Sequence, residues 1–470
     1  MIAWALATLL ACAQPVADAP PAPAQAEAVT LEQVLSSVEA EHPLLGAAAA
    51  ARTRADAVAW SARGAFDPRL RVRSVWQPLG YYDQAVLDTE VRARTVALGM
   101  TAFAGWRIGA GRFAAYDGKL RTAQGGEVRA GIELPLLRDA AVDAPRTARA
   151  KADNGREIAA SEQAQRRLEL LRDAAAAYWS WVAAGARASI RARQLELAQA
   201  RDAGIAAQIS EGNAAAFEAI DNQRVIATRA LGLVNAEQEQ GRAALQLSLF
   251  LRDDHGAPRM PSGGPPPLST VLPPPLVDEA AIEQDIAHAL TRRPETLALD
   301  RRLRNAELEV RLAKNQRLPS LTATAFVAKD LGEGDPTLTP VELAVGLGLE
   351  LPVPLRTARG ELKAARADRL RLLREQQFLR ERIAVEIRVA RLEMVTARRR
   401  VELAQRQAEL AEQLAAAERD RFALGDSTIL VVNLREEAAA EAAASHVDAV
   451  ADYRRARAGY DVACGRPPRR

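Results

Sequence analysis

The chain has 470 residues, of which 49% are hydrophobic and only 4% aromatic, a balance that favours long, closely packed helices over a thick globular core. Its 63 basic and 60 acidic side chains are largely interspersed and leave a net charge of +3, which argues against a nucleic-acid-binding protein. Four histidines and two cysteines are scattered along the sequence, so neither a structural metal site nor a cofactor is expected.

Residues 1–28 have the pattern of an export signal followed by a disordered linker. An apolar segment covers residues 1–11, and a Pro- and Ala-rich stretch covers residues 14–28. Leu9 to Cys12 partly match a bacterial lipobox, which makes Cys12 a candidate lipidation site. The alternative is an ordinary signal peptide cleaved at an Ala-x-Ala site such as Ala17 to Ala19. Either interpretation predicts export. Beyond this segment the sequence has no apolar run of 18 residues, so any membrane span is expected to be built from strands.

Residues 29–252 form the first predicted structural unit. A helix is expected over 30–62 with Thr30 as its N-cap, followed by strand-like alternation within 69–135. Pro145 suits the first turn of a helix that continues to about Ser210, and a helix of ~100 Å needs neighbours along its whole length. Gly212 marks a turn, after which a second helix returns over 214–251.

Residues 253–277 are rich in Pro and Gly and predict a linker to a second unit, residues 278–465. This unit repeats the order of the first. A helix over 278–317 is followed by strands near 321–328 and 341–351, a helix over 356–423, a turn at Gly425 and a helix over 427–463. Pro43 and Pro68 lie 251 residues before Pro294 and Pro319. The sequence therefore predicts an internal two-fold repeat, followed by a disordered tail over 466–470.

The strands carry a pattern typical of a membrane barrel. Every odd position from Val341 to Leu351 is apolar, whereas the even positions are small or acidic. Such alternation over about ten residues is expected of strands between lipid and water, although a half-buried strand of a soluble sheet has the same pattern. Each unit supplies too few strands to close a barrel, so closure would require several chains.

The first unit has more strand material than the second. Pro68 to Pro135 span 34 residues more than Pro319 to Pro352. This excess fits either an elaborate extracellular loop or two additional strands. Apolar residues that alternate over 96–103 favour additional strands.

The predicted helix over 356–423 carries a heptad-like apolar stripe with a band of alanines beside it. Small residues on a second stripe allow a helix to contact neighbours on both sides, as in a tube of helices. A solvated coiled-coil arm is the alternative. The stripe consists of Leu372, Leu379, Ile383, Ile387, Met394, Leu403, Leu410 and Leu414, and the band of Ala390, Ala397, Ala404 and Ala411.

Five short motifs follow one another in the second unit: Arg293 to Leu297, Leu318 to Leu321, Glu350 to Pro352, Arg421 to Gly425, and Asp452 to Ala456. Taken in this order, they resemble the TolC family of bacterial outer-membrane efflux proteins. The resemblance covers about residues 30–465. It implies an α+β membrane protein, in which a homotrimeric β-barrel in the outer membrane continues into an α-helical coiled-coil barrel across the periplasm. It also implies docking, through a periplasmic adaptor, to an inner-membrane pump or exporter.

The resemblance also implies roles for the two turns between long helices. Gly212, Arg421 and Gly425 are candidate adaptor contacts at the hairpin tips. Relatives carry acidic residues six and nine positions after the tip glycine of the second unit, where they constrict the pore. Here Glu218 and Asp221 stand at those offsets in the first unit instead, as a candidate pore aperture. The alternative is that both are solvated residues that favour the helix N-terminus.

The resemblance therefore implies an outer-membrane channel of a tripartite efflux or type I secretion system, through which substrates pass passively. It would lie among outer-membrane lipids of a Gram-negative-type bacterium and extend into the periplasm. The alternative is a periplasmic adaptor, but an adaptor would show one helical hairpin where this chain shows two. Catalysis is not expected, because no Ser/His/Asp or Cys/His grouping has a recognisable context. The cargo, whether drug, metal or protein, is left open.

Overall fold

A computed structural model describes residues 28–114, 119–212, 215–268, 282–351 and 353–469. Residues 1–27, with the predicted signal segment and Cys12, lie outside these ranges, as do residues 269–281 of the linker region. The helices are α1 Leu31–Glu41, α2 Pro43–Arg63, α3 Ala144–Ser210, α4 Ala216–Ser248, α5 Ile282–Arg292, α6 Pro294–Asn315, α7 Arg356–Ala423 and α8 Ile429–Ala463.

Six strands form one antiparallel sheet in which each strand pairs with the next in chain order. They are β1 Arg69–Gln77, β2 Gln84–Arg94, β3 Thr101–Gly111, β4 Glu127–Pro135, β5 Ser320–Asp330 and β6 Glu342–Glu350. Each half of the chain therefore consists of two helices, a set of strands and a long helical hairpin. The first half supplies four strands and the second half two.

Each long helix predicted before the strands is broken in two. Thr30 does cap α1, and its hydroxyl and Gln33 form a capping box. However, His42 adopts an extended conformation (φ −73°, ψ 123°) and Pro43 starts α2, so a single helix over 30–62 is wrong. Proline disfavours helical geometry at the preceding residue, which explains the break. Arg293 and Pro294 separate α5 from α6 in the same way.

The excess residues of the first half form two additional strands rather than a loop. β2 and β3 occupy this segment and pair over 11 residues each. The alternation over 96–103 does not mark one of them, because most of it is a turn. Leu98 (φ 57°) and Gly99 (φ 64°) both have left-handed backbone conformations there, and β3 begins only at Thr101.

The helices form a row that extends from one end of the sheet. Near the sheet, contacts run from α2 to α3, from α3 to α6 and from α6 to α7. Farther from the sheet, α4 and α8 replace α2 and α6, and the order becomes α4, α3, α8, α7. The two longest helices, α3 with 67 residues and α7 with 68, extend through both parts and join them.

Two main apolar clusters hold the row together. One joins α1 to α3 through residues such as Val34, Val38 and Trp181. The other joins α5, α6, α7 and α8. The predicted stripe on α7 is buried from Leu372 to Met394, but its last three leucines are exposed, Leu403 by 73%. In a single chain the stripe is therefore only partly covered.

The predicted linker and the predicted tail pack against this row where the structure describes them. Leu268 contacts three apolar clusters. A Cβ at Gly185 of α3 would lie 1.9 Å from Pro265 Cγ, so glycine allows the linker to approach. A disordered tail over 466–470 is wrong for residues 466–469. Arg466 forms an ion pair with Asp285 at 3.2 Å, and Pro468 is buried.

None of the helices in the described part of the chain is sufficiently long and apolar to cross a membrane.

Candidate pore surface and hairpin tips

The sheet has one apolar and one polar face because apolar residues occupy alternate positions along most strands. The strand register brings the alternate residues onto common faces across all six strands. The exposed large apolar side chains on this face are 41–77% accessible in the single chain. An exposed apolar surface that extends over most of a sheet is expected to contact lipid or another chain. The apolar face includes Leu70, Val72, Trp76, Val91, Val128, Ile132, Val327, Leu343, Val345, Leu347 and Leu349.

The polar face carries ion pairs that reach across strands. Arg129 on β4 binds Asp88 at 2.8 Å and Glu90 at 3.2 Å, both on β2. Gly105 on β3 lies between them in the register. A Cβ at Gly105 would lie 2.7 Å from Thr89 O, so glycine keeps the strands close at this crossing. The charges on β2, β3 and β4 are therefore mostly neutralised in pairs.

A second group of ion pairs closes the far end of the same face. Lys119 lies 2.9 Å from Asp330 and 2.6 Å from Glu342, which links β5 and β6. Arg107 and Glu127 pair at 2.7 Å. Sequence alternation indicates a polar face, but not which charges pair, because that depends on the register between strands.

Both edges of the sheet are open in the chain. Every residue of β1 is exposed. Arg69, Arg71 and Arg73 point to the polar face of β1, and none has an ion pair within the described residues. Glu350 occupies the polar face of β6 at the opposite edge, likewise without an ion-pair partner in the part of the chain that the structure describes. One edge is therefore basic and the other acidic.

The row of helices is open at both sides as well. α4 presents an exposed apolar stripe, and α7 presents another at the opposite side. We call these the α4 stripe and the α7 stripe; their side chains are 43–73% exposed. The α4 stripe is Phe217, Ile220, Leu231, Val234 and Leu245, and the α7 stripe is Leu370, Phe378, Val385, Val389, Leu392, Leu403, Leu410 and Leu414.

The two hairpin tips lie at the end of the helices farthest from the sheet. Gly212 (φ 78°) and Gly425 (φ 81°) have left-handed conformations that end α3 and α7. A Cβ at either glycine would meet no atom within 4 Å, so the tips are open. Arg421 donates to the carbonyl of Asp426 at 3.0 Å and thereby braces the second tip. Leu424 beside it is 79% exposed.

The candidate aperture residues lie one turn apart at the start of α4. Glu218 and Asp221 are both half-buried. Asp221 pairs with Arg224 at 2.9 Å, which offsets its charge locally. Their counterparts in the second hairpin, Val431 and Leu434, are apolar. Glu218 is therefore the stronger candidate for a charge that acts on the pore.

Sequence reasoning missed a buried ionic cluster that joins the two hairpins. Glu436 on α8 is 3% exposed. Its carboxylate accepts hydrogen bonds from Arg201 on α3 at 2.6 Å and from Arg229 on α4 at 2.8 Å. Arg419 on α7 lies 3.8 Å away. A glutamate in an alanine-rich helix gives no periodic signal, so only the packing reveals this role.

No family model and no curated protein matches this sequence. Solved structures do match. The CmeC outer-membrane channel of Campylobacter jejuni has a TM-score of 0.62 and 15% identity, over 93% of this chain and 85% of that one. The outer-membrane protein VceC of Vibrio cholerae has a TM-score of 0.63 and 16% identity, over 93% and 97%.

The MtrE outer-membrane channel of Neisseria gonorrhoeae, solved in its open state, has a TM-score of 0.64 and 14% identity, over 94% of this chain and 90% of that one. Identities this low establish similarity of fold. The match extends over both strands and helices because it covers nearly the whole chain. The resemblance stated from the sequence is thus confirmed: this chain has the fold of the TolC-family outer-membrane channels.

Proposed function

We propose that this chain is the outer-membrane channel subunit of a tripartite efflux or type I secretion system. The observation that carries the proposal is a two-faced sheet, apolar and exposed on one side and ionic on the other, continuous with long helices. Lipid can cover the apolar face while water fills the other side. The channel would allow substrates to pass passively.

The open edges support assembly into a homotrimer. One side of the chain ends in β1 and the α4 stripe, and the other in β6 and the α7 stripe. A head-to-tail contact between such unlike sides forms a closed ring when the rotation between copies is suitable. The periplasmic adaptor, the alternative function, is not favoured, because the similar structures are channels.

Fractionation and conductance test this proposal directly. The full-length protein is expected in the outer membrane as a detergent-requiring trimer that dissociates on heating, and it should form pores in a planar bilayer. A protein that stays soluble and monomeric after export, or that inserts without conductance, would refute the channel function. Metabolic palmitate labelling of the wild type and of Cys12→Ser would test lipidation separately.

We further propose that the hairpin tips bind a periplasmic adaptor on an inner-membrane pump or exporter. Support comes from the exposed turns at Gly212 and Gly425 and from the bracing of the second turn by Arg421. Photo-crosslinking from position 424 in cells should capture an adaptor, whereas the same probe at exposed Arg399, in the middle of α7, should not. Equal capture at both sites would contradict a tip-specific contact.

Glu218 and Asp221 would line the narrow end of the pore in that assembly. Carboxylates repeated around a narrow ring attract cations. The double variant Glu218→Gln, Asp221→Asn should lower the cation preference of single channels, measured as a reversal potential in a salt gradient. Glu239→Gln, farther along α4, is a matched control, since that exposed residue pairs with Arg242. An unchanged reversal potential in the double variant would exclude the aperture role.

A further inference from the structure

The number of strands in the assembled barrel follows from the edges of the sheet. The sheet has six strands, an even number, so β1 and β6 run in opposite directions. β6 of one copy can therefore pair with β1 of the next in the antiparallel pattern that the rest of the sheet uses. No odd strand remains to interrupt the ring.

The side chains at the two edges also match. Pairing that keeps the apolar side chains together brings the exposed leucines of β6 beside Leu70 and Val72 of β1. The same pairing places Arg69 and Arg71 on the polar side with Glu350, at the ends of β1 and β6 nearest the helices. Opposite charges on neighbouring strands favour the contact, and like charges disfavour it.

The width of the sheet agrees with the width of the helical row. Neighbouring strands about 4.8 Å apart and tilted by ~40° occupy ~6 Å each around a barrel, so six strands span ~38 Å. Four helices side by side, at about 9.5 Å between axes, span the same ~38 Å. The six strands of one copy and its four helices therefore have the same width, so the barrel can join the ring of helices with no change in diameter.

We propose that three copies close an 18-stranded barrel, with a seam between β6 of one copy and β1 of the next. This inference rests on the proposed homotrimer, to which it adds the number of strands in the barrel and the pair of strands that joins neighbouring copies. The backbone diameter would be ~36 Å, in the size range of barrels that enclose a water-filled channel. On the polar face of β6, a Cβ at Gly346 or Gly348 would meet no atom within 4 Å, which leaves that side of the channel open.

Disulfide trapping distinguishes this seam from a narrower barrel. Leu347→Cys on β6 is combined in turn with Leu70→Cys, Val72→Cys or Ser74→Cys on β1, which covers different registers on one face. Paired positions have Cβ atoms about 5 Å apart, close enough to oxidise. A membrane-soluble oxidant applied to intact outer membranes should give covalent dimers and trimers with at least one of these pairs. Each single variant controls for native thiols, of which Cys464 is buried.

A second pair tests the competing architecture. If β1 and β2 folded away from the barrel, β3 would form the edge, and β6 of one copy would pair with it. Leu347→Cys with Ala104→Cys on the apolar face of β3 would then crosslink between copies. We expect no crosslink from this pair, because β3 lies two strands inside the sheet.

The outcomes separate this inference from the proposed function. Crosslinking of β6 to β1 without crosslinking to β3 supports the 18-stranded barrel. Crosslinking to β3, or an intact native trimer with no crosslink to β1 at any register, would overturn the strand number and leave the channel in place. Absence of a trimer in the wild type would instead refute the proposed function itself.

Discussion

Replacement of Glu436 by glutamine should weaken the junction between the two hairpins. The carboxylate is buried and binds Arg201 and Arg229, which belong to different helices. Arg229 is itself only 6% exposed, so the variant leaves a buried guanidinium without its counter-ion. Removal of one partner from a buried ion pair typically costs about 3–5 kcal/mol. We therefore expect the free energy of unfolding of Glu436→Gln to fall by that amount.

The size of the chain determines how this loss appears in a thermal scan. An unfolding entropy of about 2 cal/mol/K per residue gives ~1 kcal/mol/K for a chain of this length, so Tm should fall by ~3–5 °C. Hydrogen exchange measured on the detergent-solubilised protein should localise the change. Amides near Gln194 on α3 and Arg229 on α4 should exchange faster, whereas those of the sheet should not change.

Glu437→Gln is the matched control for this prediction. Glu437 is the next residue on α8 and pairs with Arg191 at 2.9 Å, but its side chain is 45% exposed. Solvent screening limits such a pair to at most about 1 kcal/mol. If Glu436→Gln lowered Tm no more than Glu437→Gln, the idea that burial makes Glu436 critical would be refuted.

Three further predictions concern the sheet, a tip and the buried thiol. Leu347→Arg places a charge on the apolar face, which should cost about 2–4 kcal/mol near the middle of a bilayer and reduce the amount of trimer in the outer membrane. Ala344→Arg on the polar face should be tolerated. Quantitative blotting of membrane fractions measures the trimer yields, and equal yields for the two variants would contradict the assignment of the faces. Gly425→Val should lower the free energy of unfolding by about 1–2 kcal/mol, because the φ of 81° at this position suits glycine, while the space around it is open. Gly425→Asn should lose much less stability in a urea titration, because asparagine tolerates this conformation. Equal losses in both variants would show that backbone conformation is not the cause. Burial raises the pKa of the Cys464 thiol to about 11. At pH 8 iodoacetamide should therefore label this thiol only after the protein unfolds, which mass spectrometry can measure. Rapid labelling of the native protein would contradict the burial of Cys464.

Helix positions could be predicted from the sequence because their signals are local. The predicted helix over 356–423 has the same bounds as α7. The two turns at Gly212 and Gly425 follow from glycine's access to left-handed conformations. The breaks before Pro43 and Pro294 could also have been predicted, because the restriction on the residue before proline is local too.

The strands show where local signals fail. Residues 96–103 alternate well, yet 96–100 form a turn and only 101–103 belong to β3. The reason is that β2 and β3 pair with each other over their whole length and leave 96–100 to connect them. The strand number depends on which segments find partners, and periodicity alone does not report this. The alternation of 341–351 was informative because it is long and uninterrupted, and its apolar side is indeed exposed.

The sequence by itself determined the long helices with their turns, the two-sided strands and the resemblance to outer-membrane channels. These depend on periodicity, on glycine and on proline, which act over a few residues. Only the tertiary structure decided the single six-stranded sheet, the passage of Arg129 over Gly105, and the cluster in which Arg229 meets Glu436, 207 residues away. A charge is neutralised by whichever group the packing brings within about 4 Å, and that distance has no fixed relation to separation along the chain.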